Sequence, residues 1–158
     1  MASATETALQ AFVALLQAAS ELPGPIIPAP LRNEALDTRF AQFGDGKAWL
    51  NVLDGDAGGS AEGGAENVAL GAGASQFELS HQPKVEWVYS NADPVRREAN
   101  FDLGLCAIYD ALNVEGAIPG VTVTLAAVQR TNLNTDGMPA TKSVLLTFTL
   151  TFVSSRPF

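Results

Sequence analysis

Val85-Glu86-Trp87-Val88-Tyr89-Ser90-Asn91-Ala92-Asp93-Pro94 decides the fold of this chain, because it passes from a short apolar strand through a capping sequence into an amphipathic helix. Asp93 offers a carboxylate to the unpaired first-turn amides, and Pro94 suits the first helical position, where its missing N–H had no partner. Beyond that start, Phe101, Leu105, Ile108 and Leu112 recur at steps of four, three and four, which predicts one buried face on a helix from Pro94 to Asn113. Each of these side chains is worth about 1.5–3 kcal/mol when fully buried. A strand feeding a helix in this way indicates a sheet-plus-helix domain, and no catalytic group sits at the junction.

Downstream, Val121 to Gln129 is a β-branched run. Ser143 to Val153 alternates cleanly, with Val144, Leu146, Phe148, Leu150 and Phe152 on one face and Thr147, Thr149 and Thr151 on the other. The polar, turn-rich stretch Asn132 to Pro139 between them predicts a long antiparallel hairpin over 121–153. Upstream, Phe77-Glu78-Leu79 and Val85 to Tyr89 flank Ser80-His81-Gln82-Pro83, which reads as one strand interrupted or bulged near the proline, or as two short strands. Lys47 to Leu53 follows Arg39 to Phe43 across Gly44-Asp45-Gly46, the pattern of a hairpin.

Ser3 to Leu22 reads as a helix with Leu9, Phe12, Val13 and Leu16 on one face. Ser3 and Glu6 are spaced as a capping box, and Pro23-Gly24-Pro25 ends the helix. The proline-bearing segment Ile26 to Pro30 predicts an extended surface connector. From Asp54 to Ser75 the chain turns to Gly, Ala and acidic residues, few of them large enough to repay ordering, which predicts a long flexible loop. The whole is an α+β fold: a mostly antiparallel sheet of about four to five strands packed by two main helices.

At 158 residues the chain fits one domain over 1–158, able to bury about 70% of its unfolded surface. A hydrophobic fraction of 47% with 16% charged residues excludes general disorder, and the net charge of −8 argues against a surface that grips nucleic-acid phosphates. The lone Cys106 can form no intramolecular disulfide and is read as a small buried or half-buried side chain. No secretory leader pattern or membrane-spanning apolar run occurs, so synthesis in a cytoplasm is expected.

Tests for chemistry come out bland. His81 is the sole histidine, so every Ser/His/Asp or Cys/His scheme must use it. No Gly-x-Ser-x-Gly elbow accompanies it, and a hydrogen-bonded strand-end histidine is the favoured reading. Asp54-Gly55-Asp56 with Glu62 and Glu66 lacks the ligand alternation of an EF-hand loop and reads as acidic turn residues, leaving no expected metal or cofactor. Arg96 and Arg97 read as a solvated helix face, with a subunit salt bridge as the sharper option. What remains is surface for assembly. Asp54, Asp56, Glu62, Glu66, Arg96, Arg97, Thr147, Thr149 and Thr151 are the candidate subunit or partner contacts.

Leu50-Asn51-Val52-Leu53-Asp54-Gly55-Asp56, Phe77-Glu78-Leu79-Ser80-His81, Val85-Glu86-Trp87-Val88 and Ala99-Asn100-Phe101-Asp102 with Ile108 to Leu112 resemble small tail proteins of siphophages and gene transfer agents, and more broadly the tail terminator (tail completion) family. The resemblance covers roughly Trp49 to Leu112 in residues and most of the chain in layout, and departs at Ile118-Pro119-Gly120-Val121. It implies a non-enzymatic virion protein of the tail or neck, assembled in the bacterial host cytoplasm. Copies would form a ring, commonly a hexamer, that caps the tail tube, stops its polymerisation and presents a surface to the head connector. The expected partners are the chain itself, the tail tube protein and the head–tail connector, with DNA passing through unbound. A neck adaptor is the alternative, and a small ligand-binding domain or enzyme a more distant one.

Overall fold

The computed structural model describes residues 2–24, 27–36, 46–55, 64–67, 76–132 and 141–156. Among them the elements run α1 (Ala4–Ser20), β1 (Leu31–Arg32), β2 (Lys47–Leu53), β3 (Gly64–Asn67), β4 (Phe77–His81), β5 (Lys84–Ser90), α2 (Pro94–Leu112), β6 (Val121–Asn132) and β7 (Thr141–Ser154). The class is α+β. All seven strands belong to one sheet, in which only the β1–β2 pair is parallel.

β7 is the spine of that sheet. On one side it pairs with β6, and on the other with β4 and β5 laid end to end. The interruption at Gln82-Pro83 leaves the register unchanged: His81 faces Leu150 and Lys84 faces Thr147, and the Phe148 amide donates across the gap to the Pro83 carbonyl at 3.0 Å. Of the readings open from sequence, two short strands are found, laid in one continuous register along β7. Proline has no N–H to return to Phe148, and here the outer neighbour changes, from β3 beside β4 to β2 beside β5.

The sheet is thus about five strands across at its widest, and its extra members are short. β3 lies inside the Gly/Ala segment read as loop, where four residues of low strand propensity are held by pairing with β4. β2 is a strand, but its partners are β5 and β1; the expected hairpin mate Arg39 to Phe43 lies outside the described residues, as does most of the polar tip before Pro139.

Both helices pack on one face of the sheet. Ala8, Leu9, Phe12, Leu16 and Ala19 of α1, and Phe101, Ile108 and Leu112 of α2, form a single core with Leu50, Val52, Val85, Trp87 and the even-numbered side chains Val144 to Phe152. Phe12 meets Phe148 edge-on with ring centroids 5.5 Å apart. The Trp87 indole N–H donates to the Phe101 carbonyl at 3.0 Å, so the large ring is buried without orphaning its polar atom. Ile27 is also buried, so the extended connector after α1 is pinned into the core.

Helix α2 starts as expected, with Asp93 Oδ1 accepting from the Val95 amide at 2.9 Å and the Arg96 amide at 3.4 Å. Its buried stripe differs by one residue, because Gly104 takes the place against Trp87 and Leu105 is only half-buried. Cys106 is exposed, contrary to the sequence reading; at about 100° per residue it lies nearly opposite Gly104 and Ile108.

Candidate assembly surface

One face of the sheet carries helices, whereas the opposite face near β6 and β7 carries threonine. Strand alternation puts Thr147, Thr149 and Thr151 on that face, all half-buried, while Val144 to Phe152 fill the core behind them. The β6–β7 register sets Thr122 opposite Thr151 and Thr124 opposite Thr149, with Thr122 and Thr124 exposed. Cross-strand threonine pairs of this kind add a few tenths of a kcal/mol up to about 1 kcal/mol each. The amide of Gln82 reaches Thr149 Oγ1 at 3.4 Å. Thr122 and Thr124 were missed from sequence because their membership of the patch depends on register, although the Thr-x-Thr spacing on both strands was there to be read.

β6 borders this face as an edge strand of twelve residues, paired among the described residues only with β7. Its register slips by one between Leu125 and Ala127, a bulge that leaves Ala126 unpaired; from Ala126 to Arg130 every residue is exposed. A bulge and an arginine are the usual guards on an edge that would otherwise recruit strands without selection. The length of the edge remains available for a specific partner.

The other candidate residues are distributed differently. Asp54 is engaged within the chain: Arg32 holds it through Nε to Oδ1 at 2.7 Å and Nη2 to Oδ2 at 2.9 Å, and holds Glu6 through Nη1 and Nη2 at 2.8 and 2.7 Å. One guanidinium therefore ties the start of α1 to the ends of β1 and β2. Only half of the expected capping box forms: the Glu6 amide donates to Ser3 Oγ at 3.1 Å, while the Glu6 carboxylate is drawn to Arg32. The Arg32 hydrogen bonds, helped by Gln10, pull the Glu6 pKa down to about 2. Burial raises that of Asp54, but hydrogen bonds with Arg32 and Asn33 and the Arg32 charge outweigh it, and the net shift is downward. Nothing local in the sequence marks Arg32, since its partners are 26 and 22 residues away.

His81 is buried, and its Nε2 is hydrogen-bonded to the Asp54 carbonyl oxygen. Just beyond, Gly55 adopts φ +77°, and a Cβ there would fall 2.1 Å from the Gln82 carbonyl oxygen, so the chain leaves β2 pressed against the β4–β5 junction. Arg97 is mostly buried and donates to the Asn91 carbonyl at 3.1 Å, whereas Arg96 is exposed beside Asp93 at 3.7 Å. Asp56 and Glu62 lie outside the described residues, and Glu66 sits in β3 with its backbone opposite Glu78. The structure thus gathers the threonines on one patch, while among the described charged candidates Asp54 and Arg97 are engaged within the chain and Arg96 stands exposed at the start of α2. Among the described residues, no group of three or more His, Cys, Asp or Glu side chains is placed to hold a metal ion. No protein-family model and no curated protein matches this chain.

Proposed function

We propose that this chain is a virion structural protein of the tail-terminator kind, whose copies close into a ring on the finished tail tube, stop its growth and present the head-joining surface. The observation that carries this reading is the contrast between the two faces of the sheet: helices pack on one, and among the described residues the other presents a half-buried threonine patch beside a twelve-residue edge strand. Such surface is suited to contact by shape and backbone pairing rather than to turnover. The burial of His81 against a backbone carbonyl supports the same reading, because the sole imidazole is used in holding the β2 exit to β4. The net charge of −8 supports a passage for DNA that does not retain it, since few cations are available to displace phosphate counterions.

Two measurements test the proposal. Sedimentation of the purified chain at high concentration should show a closed oligomer, and loss of the gene should give particles with tails of uncontrolled length. Normal-length tails detached from heads would point to a neck adaptor, and a strict monomer absent from particles would overturn the assembly reading altogether.

A further inference from the structure

Residues 31–35 are held to the body of the protein almost entirely by polar contacts. From Leu31 to Ala35 only Arg32 is not exposed, and Leu31 is 40% exposed. β1 pairs in parallel with Asn51 and Val52, and the Asn33 amide donates to the Val52 carbonyl at 2.8 Å. Side chains supply the other bonds. Asn51, itself inaccessible to solvent, donates to the Glu34 carbonyl at 2.7 Å, and its Oδ1 accepts from the Glu34 amide at 3.2 Å. Asn33 Oδ1 accepts from the Asp54 amide at 2.9 Å, and Arg32 directs two hydrogen bonds to Glu6 and two to Asp54. The elements that flank this strap are anchored without it. Helix α1 buries Leu9, Phe12 and Leu16, while β2 pairs with β5 along seven residues and His81 Nε2 holds its exit at the Asp54 carbonyl. Asn51 keeps a second acceptor in Glu86 Oε1 at 2.7 Å. Detaching the strap therefore exposes little apolar surface and dismantles no part of the core, which is the condition for a segment to open locally.

We infer that residues 31–35 form an acid-releasable strap: with Glu6 and Asp54 ionised, Arg32 clasps it over Asn51 and the edge of β2, and with both neutral it opens as a unit while the core stays folded. Hydrogen bonds between an arginine and a carboxylate are about twice as strong as neutral ones, and protonation removes that advantage from both partners of Arg32. The Arg32 hydrogen bonds bring Glu6 down to about 2. At Asp54 burial pushes upward, but hydrogen bonds with Arg32 and Asn33 and the Arg32 charge pull further downward. Both carboxyls thus titrate lower with the strap closed than open, so the clasp is complete above about pH 4 to 4.5 and is lost as pH falls below that range. The charged and titratable groups around it are Glu6 of α1, Arg32 of β1, Asp54 beyond β2 and, on the Asp54 carbonyl, His81 of β4. Glu34 and Glu86 flank Asn51. Opening frees the Asn51 amide and the Val52 carbonyl at the margin of the sheet, where an unpaired strand edge is a template for pairing.

Amide hydrogen exchange of the full chain in low concentrations of urea tests the strap residue by residue. At pH 6 the Asn33, Glu34 and Asp54 amides should be protected, but less than those of Phe148 and Leu150. Their protection should also hardly change with urea, because a local opening exposes little surface, whereas that of the core amides should fall steeply. Stepping the pH from 6 to 3 should lower the strap protection by about tenfold or more once intrinsic exchange is corrected for, while tryptophan fluorescence still reports a folded core. Glu6→Gln/Asp54→Asn should lose the same protection already at pH 6 and respond no further to acid. Strap amides that match the core in protection and urea dependence would overturn the proposal, as would strap amides that exchange freely at pH 6. So would strap protection that survives both acid and the double variant, or a core that unfolds together with the strap at every pH step. If the variant fails to fold, the wild-type measurements alone decide.

Discussion

Gly104 lies against the Trp87 indole so closely that a Cβ at 104 would sit 2.2 Å from Cζ2 and 2.7 Å from Cε2. Trp87 cannot slide away without giving up its hydrogen bond to the Phe101 carbonyl, which comes from the same helix. Gly104→Ala should therefore destabilise the protein although it improves helix propensity. The propensity gain is about 1 kcal/mol and overpacking costs about 1–3 kcal/mol; at so short a distance the upper end applies, for a net loss of about 1–2 kcal/mol. Urea unfolding followed by tryptophan fluorescence checks this. A stabilised variant would mean that the helix has room to lift from the sheet.

Asp93→Ala should cost about 1 kcal/mol, because the Val95 and Arg96 amides lose their acceptor, whereas Asp93→Asn should retain most of the stability. The difference between the two variants in midpoint denaturant concentration is the measurement. Equal losses would assign the effect to the charge near Arg96 and not to the cap.

These two residues also show what could be read from the sequence. Asp93-Pro94 and the alternation over Val144 to Phe152 are local signals, and both elements lie where the pattern puts them. β3 was hidden because Gly64-Ala65-Glu66-Asn67 has no intrinsic reason to be a strand; its pairing with β4 is a long-range effect. The apolar spacing points to Leu105 for the buried stripe and passes over Gly104, because a hydrophobicity pattern cannot register a position whose contribution is the absence of a side chain. For the candidate surface, strand alternation identified Thr147, Thr149 and Thr151, but Thr122 and Thr124 required the register, and the engagement of Asp54 required Arg32.

The Arg32 cluster should make stability fall in acid over a defined range. The carboxyls of Glu6 and Asp54 both titrate lower in the folded chain than in the unfolded one, so protonation favours unfolding. Their contribution is complete above the unfolded values, near pH 4 to 4.5, and is lost as pH falls toward about 2, where Glu6 titrates. Arg32→Met should lower the melting temperature at pH 7, where it leaves two carboxylates facing each other without their cation. The gap to wild type should narrow steadily below pH 4. A gap independent of pH would show that Arg32 acts by packing its methylenes and not by its charge.

Stability and assembly should separate across the sheet. Phe12 is fully buried against Phe148, and Phe12→Ala removes a ring from the one core shared by both helices and the sheet, a change that costs about 3–5 kcal/mol. Against a typical total of about 5–15 kcal/mol, this brings the chain close to unfolding at ordinary temperature. Thr149 lies on β7 one residue from Phe148 but on the other face, opposite Thr124. Thr149→Ala should cost no more than about 1 kcal/mol, the worth of one cross-strand pair. Thermal melts of the two variants measure the contrast. A Thr149→Ala loss as large as that of Phe12→Ala would show that the threonine face is covered within the subunit, and would remove it from the surfaces available to a partner.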